Sequence, residues 1–177
     1  MMPQRTKRPS TPIIAVSGML AALVALATML FRLPVPITQG YVHLGDTFIL
    51  FSAMLVGPIA APIGGIGSAL ADLLAGYPMY ILPTLCIKAL VGWIASWQLN
   101  LHDQHALLRC ALTFTLAEVA MVAGYFAYEI FVYGFALAIA ATPANLFQGA
   151  SSVALACALL PIARRVAPMI KGGGKPL

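Results

Sequence analysis

Residues 64–92 read GGIGSALADLLAGYPMYILPTLCIKALVG. Two apolar runs of helical length flank the turn Gly76-Tyr-Pro78, and each run carries one charged residue, Asp72 or Lys88. A charge inside a lipid-spanning helix costs about 3 kcal/mol or more, so it usually has a partner, faces a cavity and serves a function. The stretch therefore predicts two membrane helices that contribute to a polar pocket.

The composition of the whole chain is that of a membrane protein. Hydrophobic residues make up 61% of the 177 residues, charged residues make up only 8%, and the mean hydropathy is +0.93. Soluble domains carry about 25% charged residues. Most basic residues lie towards the chain ends, which favours a lipid bilayer with an anionic surface as a partner and argues against nucleic acid. Three isolated cysteines predict buried thiols, with no disulfide framework and no metal site.

Apolar segments separated by prolines, glycines and polar turns predict an all-α membrane protein with six transmembrane helices. They lie at about 13–31, 42–57, 59–76, 80–98, 107–128 and 143–163. The first run is too long for the core of a signal peptide, so we predict that it is retained as a helix. We expect a disordered basic arm at 1–12, the membrane domain at 13–165 and a basic, Gly-rich tail at 166–177. Residues 129–141 are expected to form a re-entrant or surface helix.

The distribution of Lys and Arg predicts the orientation. Under a six-span arrangement one side carries Arg5, Lys7, Arg8, Arg109, Arg164, Arg165, Lys171 and Lys175, and the other carries only Arg32. The positive-inside rule then places both termini in the cytoplasm. The outer loops are expected at 32–41, 76–80 and about 129–142.

Polar residues from several spans converge on the outer half of this predicted bundle. They are Asp46, Asp72, Lys88, Glu129, Asn145 and Gln148. Their depth, counted at 1.5 Å per residue, predicts a binding pocket open to the outside. His43 lies at the edge of the first outer loop.

Most of these residues, and Glu118 with them, also have a purely structural interpretation. Lys88 and Asp72 would form a structural ion pair, Asp46 would cap the N-terminus of the second span, and Glu118 is expected to bond one helix to another. Asn145 and Gln148 would then join helices. Small residues at Ser17, Ala21 and Ala25 repeat at four-residue spacing, which predicts a face for close helix packing, inside the bundle or against a partner.

No nucleophile elbow, phosphate-binding loop or zinc-protease motif occurs, so we predict no catalytic residue and no enzyme activity. A chain without a phosphate-binding loop does not hydrolyse ATP by the usual mechanism. We also predict no cofactor.

Four segments resemble the substrate-binding S components of energy-coupling factor (ECF) vitamin transporters. They are Gly40-Tyr-Val-His-Leu-Gly-Asp46, residues 64–77, Thr84-Leu-Cys-Ile-Lys88-Ala-Leu-Val-Gly92 and Pro143-Ala-Asn145-Leu-Phe-Gln148-Gly149. The resemblance covers about residues 13–165 and is strongest to members that handle hydroxymethylpyrimidine and related thiamine or pyridine-type precursors.

This resemblance implies a six-helix bundle with an outward-facing vitamin pocket, lidded by the first and third outer loops. Tyr41, Tyr77 and Tyr80 would stack on a planar heteroaromatic ring. The family's helix-1 signature corresponds to Ala21 and Ala25 and would dock a transmembrane T component, while two cytoplasmic ATPase subunits would power import. We therefore expect a multi-pass protein of a bacterial or archaeal cell membrane.

Two other functions remain open from the sequence. One is a stand-alone ion- or proton-coupled carrier that uses Lys88 with Asp72 or Glu118. The other is an intramembrane enzyme, for which the sequence offers no nucleophile.

Overall fold

The computed structural model describes residues 11–35, 40–97, 99–170 and 172, and these residues are mainly helical. The helices are α1 (Thr11–Leu30), α2 (Gly45–Val56), α3 (Ala60–Ala75), α4 (Ile81–Ala95), α5 (Ala106–Tyr133), α6 (Phe135–Ala158) and α7 (Leu160–Ile170). Short 3-10 turns at Gly57–Ile59 and Pro78–Tyr80 precede α3 and α4. The predicted all-α membrane fold is confirmed.

A small antiparallel ribbon lies within the predicted first outer loop. Strand β1 (Leu33–Val35) pairs with β2 (Gly40–Val42), with Leu33 opposite Val42 and Val35 opposite Gly40. Residues 36–39 of this loop lie outside the described residues. Most of the expected basic arm and the end of the expected tail also lie outside them, whereas α1 begins at Thr11 and α7 extends to Ile170.

The chain reverses direction at Gly57, so that α2 and α3 form a helical hairpin. Gly57 has φ +64°, a conformation that glycine adopts at little cost and other residues rarely adopt. Beyond the turn, a Cβ added to Gly64 would lie only 2.8 Å from Cγ2 of Ile49. Contact between residues placed almost symmetrically about Gly57 requires the two helices to be antiparallel.

The helical segments agree with the predicted membrane spans. Among the described residues, four helical stretches pass by length and composition as able to cross a membrane: Thr11–Leu30, Gly45–Ala75, Pro78–Ala95 and Ala106–Tyr133. Gly45–Ala75 is counted there as a single stretch, although it consists of the two helices α2 and α3. A fifth forms if α6 and α7, which are bent by 66° relative to each other, are counted together. Because Gly45–Ala75 contains the α2–α3 hairpin, the segments comprise the six helices expected, followed by α7.

Small residues bring α3 and α4 into close contact. A Cβ added to Gly92 would overlap the carbonyl of Ala60, and one added to Gly65 would lie 2.7 Å from the carbonyl oxygen of Leu85. The carbonyl of Lys88 lies equally close to Gly64. This packing holds Lys88, in the middle of α4, against the interior of the bundle.

The expectation for residues 129–141 was wrong. Helix α5 continues to Tyr133, Gly134 with φ +86° breaks the chain, and α6 begins at Phe135. Pro143 therefore lies inside α6 instead of at its start, and Thr142 donates a hydrogen bond to the carbonyl of Ala138 in the turn before it. The glycine, not the proline, sets the helix boundary because only the glycine takes a positive φ at little cost.

The bundle has two distinct ends. The ribbon end carries β1 and β2, where α1, α3 and α5 finish. The far end carries the Gly57 turn, the described residues 99–105 and α7. Trp93 and Trp97 lie near the far end, both partly exposed, with ring centroids 4.8 Å apart. Such a position is typical of tryptophans at a membrane interface.

Candidate functional site

A buried ion pair lies at the centre of the polar cluster. Nζ of Lys88 on α4 lies 2.7 Å from both carboxylate oxygens of Asp46 on α2, and both side chains are 0% exposed. The pairing of Lys88 with Asp72 was therefore wrong. The capping role of Asp46 was also wrong, because α2 has Leu44 at its N-cap without a side-chain cap bond, and the Asp46 carboxylate is used inside the bundle.

Gln148 connects the ion pair to the ribbon. Its Nε2 donates to Asp46 Oδ2 at 2.6 Å, and its Oε1 accepts from the backbone N–H of His43 at 2.9 Å. The sequence prediction that Gln148 faces the polar interior is consistent with these bonds. Asp46 and the His43 N–H together fix the amide of Gln148 in one orientation, because its nitrogen donates to the first and its oxygen accepts from the second.

His43 is buried between the ribbon and α2. Its Nδ1 accepts a hydrogen bond from the backbone N–H of Gly45 at 3.0 Å, so in the neutral ring the proton is on Nε2. Burial lowers the pKa of His43 to about 4, and the nearby Lys88 ammonium also lowers it, while Asp46 acts in the opposite direction. The ring is therefore neutral at pH 7.

Tyr41 connects the ribbon to α3. Its hydroxyl donates to Asp72 Oδ1 at 2.6 Å, and its ring lies 4.9 Å from that of Tyr77 and 5.5 Å from that of His43. Burial, followed by the Asp72 carboxylate, raises the pKa of Tyr41, so the hydroxyl remains protonated and able to donate. Asp72 thus binds the ribbon instead of pairing with Lys88.

A second aromatic group forms where α4 meets α5. The ring of Tyr80 lies 6.4 Å from that of Tyr125 and 5.4 Å from that of Tyr128. The Tyr125 hydroxyl and the Thr84 hydroxyl are 3.0 Å apart, and Nζ of Lys88 lies 5.2 Å from the centre of the Tyr125 ring. Sequence reasoning missed Tyr125 because it carries no charge, although it lies one turn before Glu129 and two turns after Glu118 on α5.

The other acidic and amide candidates differ in their surroundings. Glu129 is buried near the ribbon end of α5, and Asn145 is half-buried on α6. Glu118 is only 4% exposed, and neither of its carboxylate oxygens has a hydrogen-bond partner among the residues that the structure describes. The expectation that Glu118 bonds one helix to another was therefore wrong within this part of the chain. Gly149 gives it room, since a Cβ there would lie 3.0 Å from the Glu118 Cβ.

A cavity of about 360 Å³ lies at the ribbon end, between the end of α1, the segment after β2, and α6. Its lining includes Arg32, Val42, His43, Phe147 and Gln148. Its volume falls within the range of about 300–1,000 Å³ that is typical of small-molecule sites. Mostly apolar walls with a few polar groups are also typical of such sites.

The small-residue stripe on α1 is partly turned towards the bundle. Ala25 is 6% exposed, while Ser17 and Ala21 are half-buried and the Ser17 hydroxyl donates to the carbonyl of Ile13. The neighbouring Gly18 is exposed, and a Cβ added to it would meet open space. The docking role of Ser17, Ala21 and Ala25 remains a prediction.

Comparison with known proteins agrees with this architecture. A protein from Pyrococcus woesei, described as an uncharacterized protein in gap 3'region, is 35% identical over 150 residues, which cover 84% of this chain and 99% of the relative. The thiamine precursor transporter HmpT of Lactococcus lactis subsp. cremoris (strain MG1363) is 33% identical over 146 residues, which cover 81% of this chain and 82% of the relative. The family model for the S component of ECF-type riboflavin transporters matches residues 8–165. The chain is therefore a multi-pass membrane protein that belongs to the ECF-type riboflavin transporter S component family.

Proposed function

We propose that the chain is the substrate-capture subunit of an ATP-driven ECF importer and binds a small heteroaromatic vitamin precursor, hydroxymethylpyrimidine or a close relative. The observation that carries the proposal is the polar and aromatic cluster at the ribbon end. It joins Tyr41 and His43 of the ribbon region to Asp72, Lys88 and Gln148 of three helices. Such a cluster beside an apolar cavity suits a flat ring with a few polar substituents.

The choice of substrate is supported by two features. The relative HmpT is described as a thiamine precursor transporter. The ribbon-end cavity, at about 360 Å³, lies near the lower end of the usual range for small-molecule sites, which favours a single-ring compound over the larger riboflavin.

The residues of the polar and aromatic cluster, of which His43 and Gln148 also line the cavity, have separable roles. Tyr41 and Tyr77 supply aromatic faces, and the bond from Tyr41 to Asp72 holds the ribbon down as a lid. Lys88 and Asp46 satisfy each other, so we assign them the task of positioning Gln148 rather than of touching the substrate. Further substrate contacts are proposed for Tyr80, Glu129 and Asn145 on the helices around the cluster.

The orientation and the partners follow from the same proposal. The far end carries Arg109, Arg164 and Arg165, so the positive-inside rule supports a cytoplasmic far end and an outward-facing ribbon. A T component would dock on α1, and two cytoplasmic ATPase subunits would supply the energy. Ala21→Leu should reduce co-purification with the T component. Arg165→Gln, at an exposed position on α7, serves as a surface control.

Binding by the isolated chain tests the proposal. Purified protein in mild detergent, without ATP, should bind hydroxymethylpyrimidine at a ratio of one to one in isothermal titration calorimetry, and more tightly than riboflavin. Absence of binding to either compound and to a wider vitamin panel would contradict the proposed function.

Glu118 supports a second candidate function, that of a proton-coupled carrier. A buried carboxyl without a described partner is the type of group that carries protons in membrane transporters. Uptake that continues in cells lacking the ATPases, follows the pH gradient and is lost in Glu118→Gln would favour that function. Uptake that requires the ATPases would support the importer.

A further inference from the structure

Arg32 is a cation placed at the rim of the ribbon-end cavity. It follows α1 and lines the cavity together with His43 and Gln148. It is the one basic residue predicted for the outer side of the membrane, in a chain with a net charge of +5. Since basic residues concentrate on the cytoplasmic side, an outer arginine beside a cavity requires a separate explanation.

The guanidinium is held in place, yet most of it remains unused. Its Nε donates to the carbonyl of Met29 at 3.1 Å, a bond that caps the end of α1. Its Cζ lies 5.7 Å from the centre of the Tyr41 ring. Among the described residues no carboxylate pairs with Arg32, so the fork formed by its two Nη groups is free to bind an anion.

The other polar groups of the cavity also point to an anion. The neutral ring of His43 accepts with Nδ1 and so carries its proton on Nε2, which makes no hydrogen bond to a described residue. Both ends of the Gln148 amide are already engaged, and the cavity lining contains no acidic side chain among the described residues. The donors available to a ligand are thus Arg32, His43 and the hydroxyl of Ser151, which also lines the cavity.

We propose that the ribbon-end cavity binds a heteroaromatic substrate that carries an anionic substituent, a phosphate or a carboxylate, and that Arg32 and His43 receive that group. The proposal rests on the proposed function and narrows the substrate to an anionic relative of hydroxymethylpyrimidine, which is itself neutral. The apolar wall formed by Val42 and Phe147 would contact the ring, while the anion would sit at the rim, where it also keeps some water. An arginine fork suits both phosphate and carboxylate oxygens.

Two matched ligand pairs test the proposal by calorimetry on the full chain. The pairs are hydroxymethylpyrimidine with its phosphate ester, and nicotinamide with nicotinate. At least one anionic member should bind about 10- to 100-fold more tightly than its neutral partner, because a hydrogen bond to a charged group is worth that much in affinity. Because Arg32 is exposed, this preference should weaken as the salt concentration rises.

Variants then test whether the preference for the anionic compound arises at the rim of the ribbon-end cavity. Arg32→Gln should abolish the preference and its salt dependence, measured as the ratio of the two affinities within that variant. Arg109→Gln removes an exposed arginine at the far end and should preserve the preference. His43→Asn keeps an acceptor for the Gly45 N–H but has no donor in the Nε2 position, so it should also reduce the ratio of the anionic to the neutral affinity.

The alternatives give different results. Equal or better binding of the neutral members, or a preference that survives Arg32→Gln, overturns the anion site, while binding of the neutral compound still supports the proposed function. If an anionic lipid raises the melting temperature only when Arg32 is present, and neither soluble anion is preferred, then Arg32 binds a headgroup and the substrate assignment is wrong. If the wild-type protein binds none of the four compounds, both proposals are contradicted.

Discussion

Lys88→Met should strongly destabilise the bundle, because it removes the cation that neutralises the buried Asp46 carboxylate. Nζ of Lys88 contacts both oxygens of that carboxylate at 2.7 Å, and neither side chain is exposed. Removing one member of a buried pair typically costs about 3–5 kcal/mol, since the other charge stays without a counter-charge. In a protein of this size about 1 kcal/mol shifts the melting temperature by about 2–4 °C. The expected fall is thus roughly 6–20 °C.

The assay is thermal unfolding of the purified protein in detergent, followed by intrinsic fluorescence. The double variant Asp46→Asn with Lys88→Met should recover most of the loss, because a neutral amide and a thioether leave no unpaired charge. Arg165→Met, at an exposed position on α7, should change the melting temperature little.

The comparison between the single and the double variant shows whether the loss of stability comes from the uncompensated charge of Asp46. If Lys88→Met unfolds at the wild-type temperature, the ion pair does not support the fold. If the double variant is as unstable as the single one, the loss comes from packing and not from the uncompensated charge. Either result would refute the reasoning.

Two further predictions concern pH and helix packing. His43 has a pKa of about 4 when folded and 6.5 when unfolded, so the unfolded chain binds more protons between these values, and stability should fall by roughly 3 kcal/mol as the pH drops from 6.5 to 4. His43→Asn, which keeps an acceptor for the Gly45 N–H, should flatten this part of the pH profile in thermal unfolding. An unchanged slope would show that His43 does not cause the pH dependence. Gly92→Ala should cost about 1–3 kcal/mol because its Cβ would overlap the carbonyl of Ala60, whereas Gly18→Ala, which meets open space on α1, should be neutral or stabilising by up to about 1 kcal/mol. Equal melting temperatures for the two glycine variants would contradict the close packing of α3 on α4.

The sequence predicts the helices well because apolar length and helix-breaking residues are local properties. The predicted first span at 13–31 corresponds to α1, and the span at 59–76 corresponds to α3. The start of α6 was mispredicted because Pro143 is suited both to the first turn of a helix and to a tolerated position inside a membrane helix. Gly134 sets the boundary through its backbone conformation, which the residue type alone does not specify.

The candidate site is harder to predict, because the depth of a residue along its helix does not determine which side chains it contacts. Asp46 and Asp72 both lie in the outer half of the predicted bundle, so the sequence offers two partners for Lys88. The choice depends on how α2 packs against α4 and α6, and this places Asp46 between Lys88 and Gln148. Asp72 is then left to bind Tyr41.

The polar role of Tyr125 could not be predicted either. A tyrosine in an apolar helix has no charge to mark it, and its contact with Lys88 arises only from the packing of α4 on α5. Its spacing from Glu118 and Glu129 puts all three on one side of α5, and this is the signal in the sequence that marks Tyr125.

The most direct test of the account is mass spectrometry of the small molecules that accompany the protein purified in mild detergent from cells grown in rich medium. We expect one heteroaromatic vitamin precursor in a ratio of about one to one with the chain, and its loss when Tyr41 is replaced by Ala to open the lid. A protein that carries no such compound, and whose melting temperature no vitamin raises, would contradict the claim that this chain captures a vitamin precursor.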